Sequence, residues 1–470
     1  MFPHTNPRAN DHAVWPVVVV GAGPAGLIAA QVLTRNGIRC LVVAKAAPST
    51  HPKATVASLR TMEMVRSWGL ADRIKAGGND VEWRLLIADT LAAAASGRVV
   101  DVGYPSIEES AKISPTRPWA VPQDHLEEVL LDDLRRSGVR VEISEVVEDV
   151  RPSPGAIRLT VRNTRSGRAR TVAGRYVIAA DGAYSAVRDA VGIAAPASRV
   201  QELSTTAVVH APIGDVLGRH RFGIYSTESP VAATFLPAGP DDRWLVAFDD
   251  PTQDPQRLAE LVRAGVGVPD LPVRVGGVRQ FSFVAALADR FRSGHVFLVG
   301  DAAHRVTPRG GTGMNMAIAG AANLTWKLSW VIRGWAPDAL LDSYEAERRP
   351  PAAHNIARSL DPSGSRRSSA DEVAVDLAGR IPHRWVRTGR DRVSTLDLIG
   401  DGLTRLASVD DREVGAGIQG GPPVTERRLD PSTAAAVGAD GPVGLLVRPD
   451  GIPLDDEMSE LLRGRRSAVA

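Results

Sequence analysis

The hydrophobic pattern near the start of the chain changes from a continuous apolar run to helical spacing. The run VVVV (17–20) is typical of a buried parallel strand. From Leu27 to about Asn36 the apolar and small residues suit a helix, and Gly37 ends it before a second apolar run, IRCLVV. This order predicts a strand–helix–strand unit.

Farther along, helical and strand patterns alternate in blocks. Apolar spacing predicts one helix over RTMEMVRSWGLADRIKAGG (60–78), a second over 124–138 and a long one from Gly313 to Gly334. Between about 195 and 283, short β-rich pieces separated by Gly, Pro and Asp predict a largely antiparallel sheet. The buried-strand pattern returns in HVFLVGDAAH (295–304), so the chain is expected to re-enter its first domain there.

Composition is that of an ordinary globular protein. Of 470 residues, 44% are hydrophobic and 23% charged, and this length predicts two or three domains. The 56 Lys and Arg against 54 Asp and Glu give a net charge of +2, too small to indicate a nucleic-acid partner. No run approaches the ~20 apolar residues of a membrane helix. The first 16 residues lack a signal peptide's apolar core, and Cys40 is the only cysteine. A soluble, cytoplasmic protein without a disulfide is therefore expected.

The sequence GAGPAG places three glycines between the first strand and its helix. In G-x-G-x-x-G, Gly21 permits the tight turn, Gly23 lets the backbone approach a pyrophosphate, and Gly26 allows close helix packing. Pro24 suits the first position of the helix, and the helix start supplies unpaired N–H groups such as that of Ala25. An ADP-containing ligand is predicted, and the motif alone does not separate NAD from FAD.

The end of the second strand departs from the usual dinucleotide pattern. A carboxylate is expected there to bind the ribose hydroxyls, but the sequence reads Ala44-Lys45. Either Lys45 or a residue elsewhere binds the adenosine ribose, or the affinity for the cofactor is weakened. Because a basic residue also suits a 2′-phosphate, NADP stays open as an alternative ligand.

Two more buried strands end in an acidic residue. In YVIAADGAYSAVR (176–188), Asp181 and Gly182 end such a strand, with a capping Asp that binds no ligand as the alternative. In HVFLVGDAAH, Asp301 is expected to be a buried carboxylate, for which a ligand hydroxyl would serve as partner.

A loop with little side chain follows Asp301 and leads into the long helix. Its members are Pro308, Gly310, Gly311 and Gly313. The helix start, including the N–H groups of Met314 and Asn315, favours negative charge in whatever lies against it.

These three motifs, in this order, resemble those of the single-component flavin-dependent aromatic hydroxylases, the class A flavoprotein monooxygenases. The resemblance runs from Val17 to about Arg349 and is strongest for the subgroup that acts on phenols and on aromatic polyketides or antibiotics. It implies FAD as cofactor, Asp181 near the pyrophosphate, and Asp301 bound to the ribityl chain. It also implies cofactor contacts for a set of polar residues that are only weakly indicated by their own pattern: Lys53, Arg60 and Gln123.

The resemblance also implies an α/β architecture, in which a Rossmann-like FAD-binding domain is interleaved with a mainly antiparallel substrate-binding sheet. A small, degenerate thioredoxin-like region without C-x-x-C follows. The expected boundaries are 1–80, 118–194 and 285–360 for the FAD-binding domain, 81–117 and 195–284 for the substrate domain, and 361–470 for the C-terminal region.

The implied activity is a monooxygenase reaction. NAD(P)H, bound transiently, would reduce FAD, O₂ would form a flavin C4a-hydroperoxide, and one oxygen would pass to an aromatic or polyketide-like small molecule. No catalytic side chain and no metal site are predicted, and a monomer or homodimer is expected. Alternatives are epoxidation, Baeyer-Villiger oxidation or dehydrogenation on the same scaffold. A non-catalytic relative is a further one, because Ala44 and Gly320 stand where the family carries acidic residues.

The substrate pocket is expected between the flavin and the antiparallel sheet. Aromatic residues of that sheet are candidates to line it, with an ordinary core role as the alternative: His220, Tyr225, Trp244, Phe281 and Phe283. His304 has no second ligand at metal spacing and is interpreted as structural.

Overall fold

The computed structural model describes residues 14–389, 391–410 and 417–464, so most of the first 16 residues, for which no signal peptide is expected, lie outside the described residues. Two large sheets, one mainly parallel and one mainly antiparallel, dominate the structure. The predicted α/β fold class is confirmed. Among the described residues, no helix combines the length and apolar character needed to cross a bilayer.

The central sheet has a parallel core. Its first strand, Trp15–Val20, lies between Cys40–Ala44 and Ala169–Ala179, all parallel to it. Because the strands run in one direction, their carboxyl ends, and the motifs that follow them, meet at one edge. In spatial order the sheet contains Arg292–Ser293, Val296–Leu298, Ala169–Ala179, Trp15–Val20, Cys40–Ala44 and Arg140–Ile143. Ala156–Asn163 also pairs antiparallel with Ala169–Ala179, and Glu145–Ser153 pairs antiparallel with Ala156–Asn163.

Helices cover this sheet, and one prediction for them is wrong. The pattern over 60–78 forms two helices because Gly69 adopts φ +72, a left-handed conformation that ends the first of them. The long helix is confirmed and is buried along most of its length. The helices of this domain are Pro24–Arg35, Leu59–Ser67, Ala71–Ala76, Gln123–Arg136, Ala186–Ala190, Gly313–Ile332 and Ser343–Leu360, with 3₁₀ turns at Gly300–Ala302 and Asp338–Asp342.

The second sheet is antiparallel except where Phe222–Thr227 pairs parallel with Glu82–Ala88. One of its faces packs against the helix Pro255–Val266 to form a separate apolar core. In spatial order its strands are His304–Arg305, Arg274–Leu287, Ala197–His210, Arg243–Phe248, Ala233–Pro237, Phe222–Thr227, Glu82–Ala88 and Arg98–Asp101. Shorter elements around it are Leu91–Ser96, Ile107–Ile113, Ile213–Leu217 and the strand pair Val56–Ala57 with Trp119–Ala120.

The other face of the antiparallel sheet looks toward the central domain. There the buried His51 places Nε2 3.1 Å from the hydroxyl of Thr206, across the boundary between the two sheets. Nearby, Arg243 donates to both carboxylate oxygens of Asp124, at 2.6 and 3.4 Å. These polar contacts fix the cleft between the sheets, and the sequence pattern gave no sign of either pairing.

The C-terminal region packs along the long helix. Trp326 of that helix donates to the carboxylate of Asp450 at 3.1 Å, and Trp330 donates to the carbonyl of Asp401 at 3.0 Å. A small three-stranded sheet forms the centre of the region, and its thioredoxin-like character stays a prediction. Its elements are Ser369–Leu377, Trp385–Thr388, Asp391–Ser394, Thr395–Leu398, Leu403–Ser408, Val424–Leu429, Pro431–Ala436, Leu445–Val447 and Asp456–Arg463.

Candidate cofactor-binding site

The three glycines of the first turn have different reasons to be glycine. Gly21 has φ +111, and a Cβ there would lie 2.2 Å from the carbonyl oxygen of Ala180. A Cβ on Gly26 would lie 2.0 Å from the oxygen of Gly21, whereas one on Gly23 would meet nothing within 4 Å. The fold itself therefore demands Gly21 and Gly26, and only a ligand would demand Gly23.

The helix after this turn has an uncapped N-terminus. Gly23 is its N-cap without a side-chain cap, Pro24 is at the first helical position, and Leu27 is the first residue to donate back into the turn. The N–H groups of Ala25 and Gly26 thus have no acceptor within the helix. Free donors beside an open glycine fit a pyrophosphate.

The end of the second strand offers no carboxylate where the usual dinucleotide pattern has an acidic residue. Ala44 is buried as the last residue of the strand, and Lys45 is exposed directly beyond it. Lys45 is thus at the edge where the adenosine would lie, and its role in binding stays a prediction.

Asp181 holds its own loop together. Its carboxylate accepts hydrogen bonds from the hydroxyl of Ser185 at 2.5 Å and the N–H of Val187 at 3.1 Å. Burial raises the pKa of Asp181, and both hydrogen bonds oppose that rise. Arg188 ties this loop to the Asp301 segment by donating to the carbonyl of Ala302 at 3.4 Å. The capping role of Asp181 is thus visible, and its contact with a ligand stays a prediction.

Asp301 differs from the expectation of a buried carboxylate. Its side chain is exposed on the turn Gly300–Ala302, and none of the described residues donates a hydrogen bond to it. The protein around this crevice raises the pKa of Asp301 by limiting its hydration, and the charges of Lys53 and Arg305 oppose the rise. An accessible acceptor at the carboxyl edge of the sheet fits a ligand hydroxyl.

The glycine-rich loop is held from behind by residues that sequence reasoning missed. Gly310 and Gly311 both have positive φ, at +82 and +64. The partly buried Tyr104 donates its hydroxyl to the carbonyl of Gly311 at 3.1 Å, and Arg358 lies so close that a Cβ on Gly310 would come within 2.8 Å of its Nε. Pro308 closes the turn by accepting from the N–H of Gly311. No sequence signal linked Tyr104 to this loop, because the two are about 200 residues apart.

The long helix begins at Gly313, and no side chain caps its N-terminus. The N–H groups of Gly313, Met314 and Asn315 therefore lack acceptors within the helix, and the helix dipole makes this end positive. The buried Asn315 side chain adds a contact that the sequence did not predict, since it accepts from the N–H of Ser58 at 2.8 Å. A planar, electron-rich group fits against such a loop.

The remaining predicted polar residues are engaged within the protein. Gln123 donates to Glu127 at 2.7 Å, and burial raises the pKa of Glu127 to about 7, with the charge of Lys53 opposing the rise. Arg60 donates to Glu63 at 3.0 Å and to a carbonyl of the C-terminal region. The cofactor contacts expected for Gln123, Lys53 and Arg60 stay predictions.

The aromatic candidates of the antiparallel sheet separate into two faces. Tyr225 and Trp244 belong to the core under the helix Pro255–Val266, so they do not line the cleft. Phe281 and Phe283 lie on the face that contacts His51, stacked at 5.5 Å with an interplanar angle of 19°. Arg309 of the glycine-rich loop lies over the Phe283 ring at 5.4 Å. This pair therefore adjoins the loop.

No group of three or more His, Cys, Asp or Glu side chains able to hold a metal occurs among the described residues. His304 is buried, and burial lowers its pKa to about 4, so it is neutral at physiological pH. It packs against Phe291, in accordance with the structural role expected for it. His220 is partly exposed and contacts Phe222 instead of the loop.

The comparisons with known proteins identify the chain as an FAD-dependent monooxygenase. Residues 15–359 match the protein family described as FAD binding domain, and the chain belongs to that family. Its cofactor is FAD.

Similar proteins are named for their action on tetracenomycin or aklavinone. The tetracenomycin A2 monooxygenase-dioxygenase of Streptomyces glaucescens is 33% identical over 93% of this chain and 92% of its own length. The aklavinone 12-hydroxylase of Streptomyces purpurascens is 30% identical over 94% of this chain and 95% of its own length. The crystal structure of an aklavinone-11 hydroxylase with FAD and aklavinone has a TM-score of 0.83 and 27% identity, covering 97% of this chain and 98% of that one.

Proposed function

We propose that this protein is an NAD(P)H-consuming monooxygenase that inserts one O₂-derived oxygen into an aromatic, polyketide-like molecule through a flavin C4a-hydroperoxide. The observation that carries the proposal is the contact between Arg309 and Phe283, which joins the glycine-rich loop to an aromatic face of the antiparallel sheet. We also propose that the protein is a monomer or homodimer. A reducing cytoplasm is proposed as its location because its one cysteine, Cys40, is free and buried.

In this proposal the cofactor lies along the carboxyl edge of the central sheet. Its pyrophosphate binds at Gly23 and the free N–H groups after it, and its ribityl chain binds the accessible carboxylate of Asp301. The flavin ring rests against the loop 308–312. When bound, FAD supplies reduction by NAD(P)H and activation of O₂, and the protein supplies orientation and exclusion of water.

The start of the long helix gives the ring an electrostatic environment. The N–H groups of Gly313, Met314 and Asn315 point out of the helix, where its dipole is positive. A reduced flavin carries negative charge along one edge, so these donors stabilise the reduced cofactor more than the oxidised one. Fixed backbone donors need no rearrangement when that charge forms.

The substrate is proposed to lie between the ring and the sheet. Phe281 and Phe283 offer a stacked aromatic surface, and Thr234, Leu236 and Ala247 are partly exposed on the same side of the sheet. Small and apolar side chains beside two parallel rings suit a flat, polycyclic aromatic molecule. The names of the relatives, which refer to tetracenomycin and aklavinone, favour the same class of substrate.

The reductant is proposed to bind transiently. The sequence contains G-x-G-x-x-G at 21–26 and again at 415–420. The first of these, between the strand Trp15–Val20 and the helix Pro24–Arg35, is assigned to FAD, and the second is not assigned to a dinucleotide. Tyr184 is 87% exposed on the loop after Asp181, and Arg305 lies over its ring at 5.9 Å. An exposed aromatic ring beside a cation suits the base and phosphates of a dinucleotide.

The test is anaerobic reduction of the FAD-loaded protein by NADH or NADPH, with and without a polycyclic phenol, followed by turnover in ¹⁸O₂. We expect bleaching of the flavin bands that the phenol accelerates, and one ¹⁸O atom in the product. Product without label would favour the dehydrogenase alternative. Failure to bind FAD in excess would favour the non-catalytic relative that Ala44 and Gly320 suggested.

A further inference from the structure

A helix beyond the family match reaches the cofactor domain. Ser369–Leu377 follows the matched residues 15–359 and packs against the start of the helix Leu59–Ser67. There the carboxylate of Asp376 accepts from the hydroxyl of Ser58 at 2.8 Å and from the N–H of Arg60 at 3.1 Å. One side chain of the C-terminal region thus holds the first turn of a helix in the FAD-binding domain.

The other side of the same turn is bound by the long helix. The Asn315 side chain accepts from the N–H of Ser58 at 2.8 Å and from the hydroxyl of Thr61 at 2.9 Å. It also donates to the carbonyl of Val56 at 3.2 Å. Ser58 is therefore clamped between Asp376 and Asn315, through its hydroxyl on one side and its N–H on the other.

All three residues of this clamp line one small cavity, with a volume of about 50 Å³. Thr312, the N-cap of the long helix, and Tyr104, which holds the glycine-rich loop, line it too. The cavity is thus directly behind the loop 308–312. Since the interior here is not tightly filled, the hydrogen bonds decide where the first turn of the long helix rests.

We propose that Asp376 is a positioning residue of the flavin site, which acts through Ser58 and Asn315 on the first turn of the long helix. The inference rests on the proposed placement of the flavin ring against the loop 308–312. If the hydrogen bonds that Asp376 accepts are weakened, the N–H groups at the start of the long helix move relative to the flavin ring. The reduced flavin then loses part of its electrostatic stabilisation. The C-terminal region would then be a functional part of the cofactor site.

The test uses the full-length protein with Asp376→Asn, which keeps the size of the side chain and loses one acceptor. Reconstitution followed by flavin fluorescence should give an FAD Kd raised about 5- to 10-fold. The midpoint potential of the bound flavin should become more negative, a change that a merely structural role would not produce. Asp371→Asn, an exposed position on the same helix, should leave both quantities unchanged.

Ser58→Ala removes the same hydrogen bond from its other end and serves if Asp376→Asn does not fold. The two changes combined should be clearly less than additive in FAD Kd, because they remove one shared contact. A lower melting temperature with unchanged Kd and potential in both variants would overturn the inference. Asn315→Ala separates the two proposals. If it also leaves the potential unchanged, the placement of the ring is wrong; if it alone shifts the potential, only the role of Asp376 is wrong.

Discussion

Replacing Gly23 by Ala should weaken FAD binding without weakening the apoprotein. The added methyl group would meet no protein atom within 4 Å, and Gly23 has φ −79, which alanine adopts freely. Alanine caps a helix less well than glycine, but it also restricts the unfolded chain, and these opposing effects are each at most about 1 kcal/mol. The free energy of unfolding of the apoprotein should therefore change by less than about 0.5 kcal/mol.

The loss of FAD affinity follows from the side of the turn that the methyl group occupies. It would stand where the backbone approaches the pyrophosphate, so at least one charge-assisted hydrogen bond would be lost. Such a bond contributes about 1.5–3 kcal/mol, which corresponds to an increase in FAD Kd of about 10- to 150-fold. Gly26→Ala is the matched control, because its methyl group would lie 2.0 Å from the oxygen of Gly21. That variant should lose on the order of 1–3 kcal/mol of apoprotein stability.

The assay is urea unfolding of both apoproteins together with an FAD titration of each. A Gly23→Ala variant with normal stability and weak FAD binding is expected. Unchanged FAD affinity in Gly23→Ala would refute the reasoning, since the open side of Gly23 would then not face the cofactor. Equal destabilisation by both substitutions would also contradict it, because the structure gives the two methyl groups opposite surroundings.

Three further outcomes are expected. Gly320→Ala should stabilise the protein by up to about 1 kcal/mol in urea unfolding, because its Cβ would lie no closer than 3.7 Å to any neighbour; a loss of stability would contradict this. Tyr104→Phe should cost about 1 kcal/mol and weaken FAD binding, since the bond to Gly311 is lost; unchanged FAD Kd would show that the loop is held otherwise. Burial raises the pKa of Glu127 to about 7, so its contribution to stability is present below the ordinary glutamate pKa and is lost as pH rises to about 7. Glu127→Gln should flatten unfolding free energies measured between about pH 5 and pH 8, and an unchanged slope would reject that assignment.

The parts of the site that could be predicted from the sequence are those whose conformation is determined by residues close to one another in the chain. The turn at Gly21 and Gly26 needs room that only glycine leaves, and the strand before it and the helix after it have clear periods. The long helix from Gly313 was predictable for the same reason. In each case a short stretch of chain contains both the signal and its cause.

The parts that were wrong or missing depend on distant residues. The exposure of Asp301 follows from how two domains leave a crevice between them, and no local pattern encodes that. The spacing of Tyr225 and its neighbours fits a strand. Which face of the sheet is turned to the cleft, however, depends on where the helix Pro255–Val266 packs. The hydrogen bonds of Ser58 could not be predicted from the sequence, because its partners Asn315 and Asp376 lie 257 and 318 residues away along the chain.

The order of strands in the central sheet also dictates when the protein can mature during synthesis. Trp15–Val20 pairs with Ala169–Ala179, which in turn pairs with Val296–Leu298, so the sheet stays open until the ribosome has released residue 298. Until then the nascent chain displays unpaired strand edges, which other chains or chaperones can bind. The pyrophosphate turn exists early but has no partner motifs. Cofactor loading is therefore confined to a chain that extends beyond residue 298, and a ribosome stalled before that residue would hold a polypeptide unable to retain FAD.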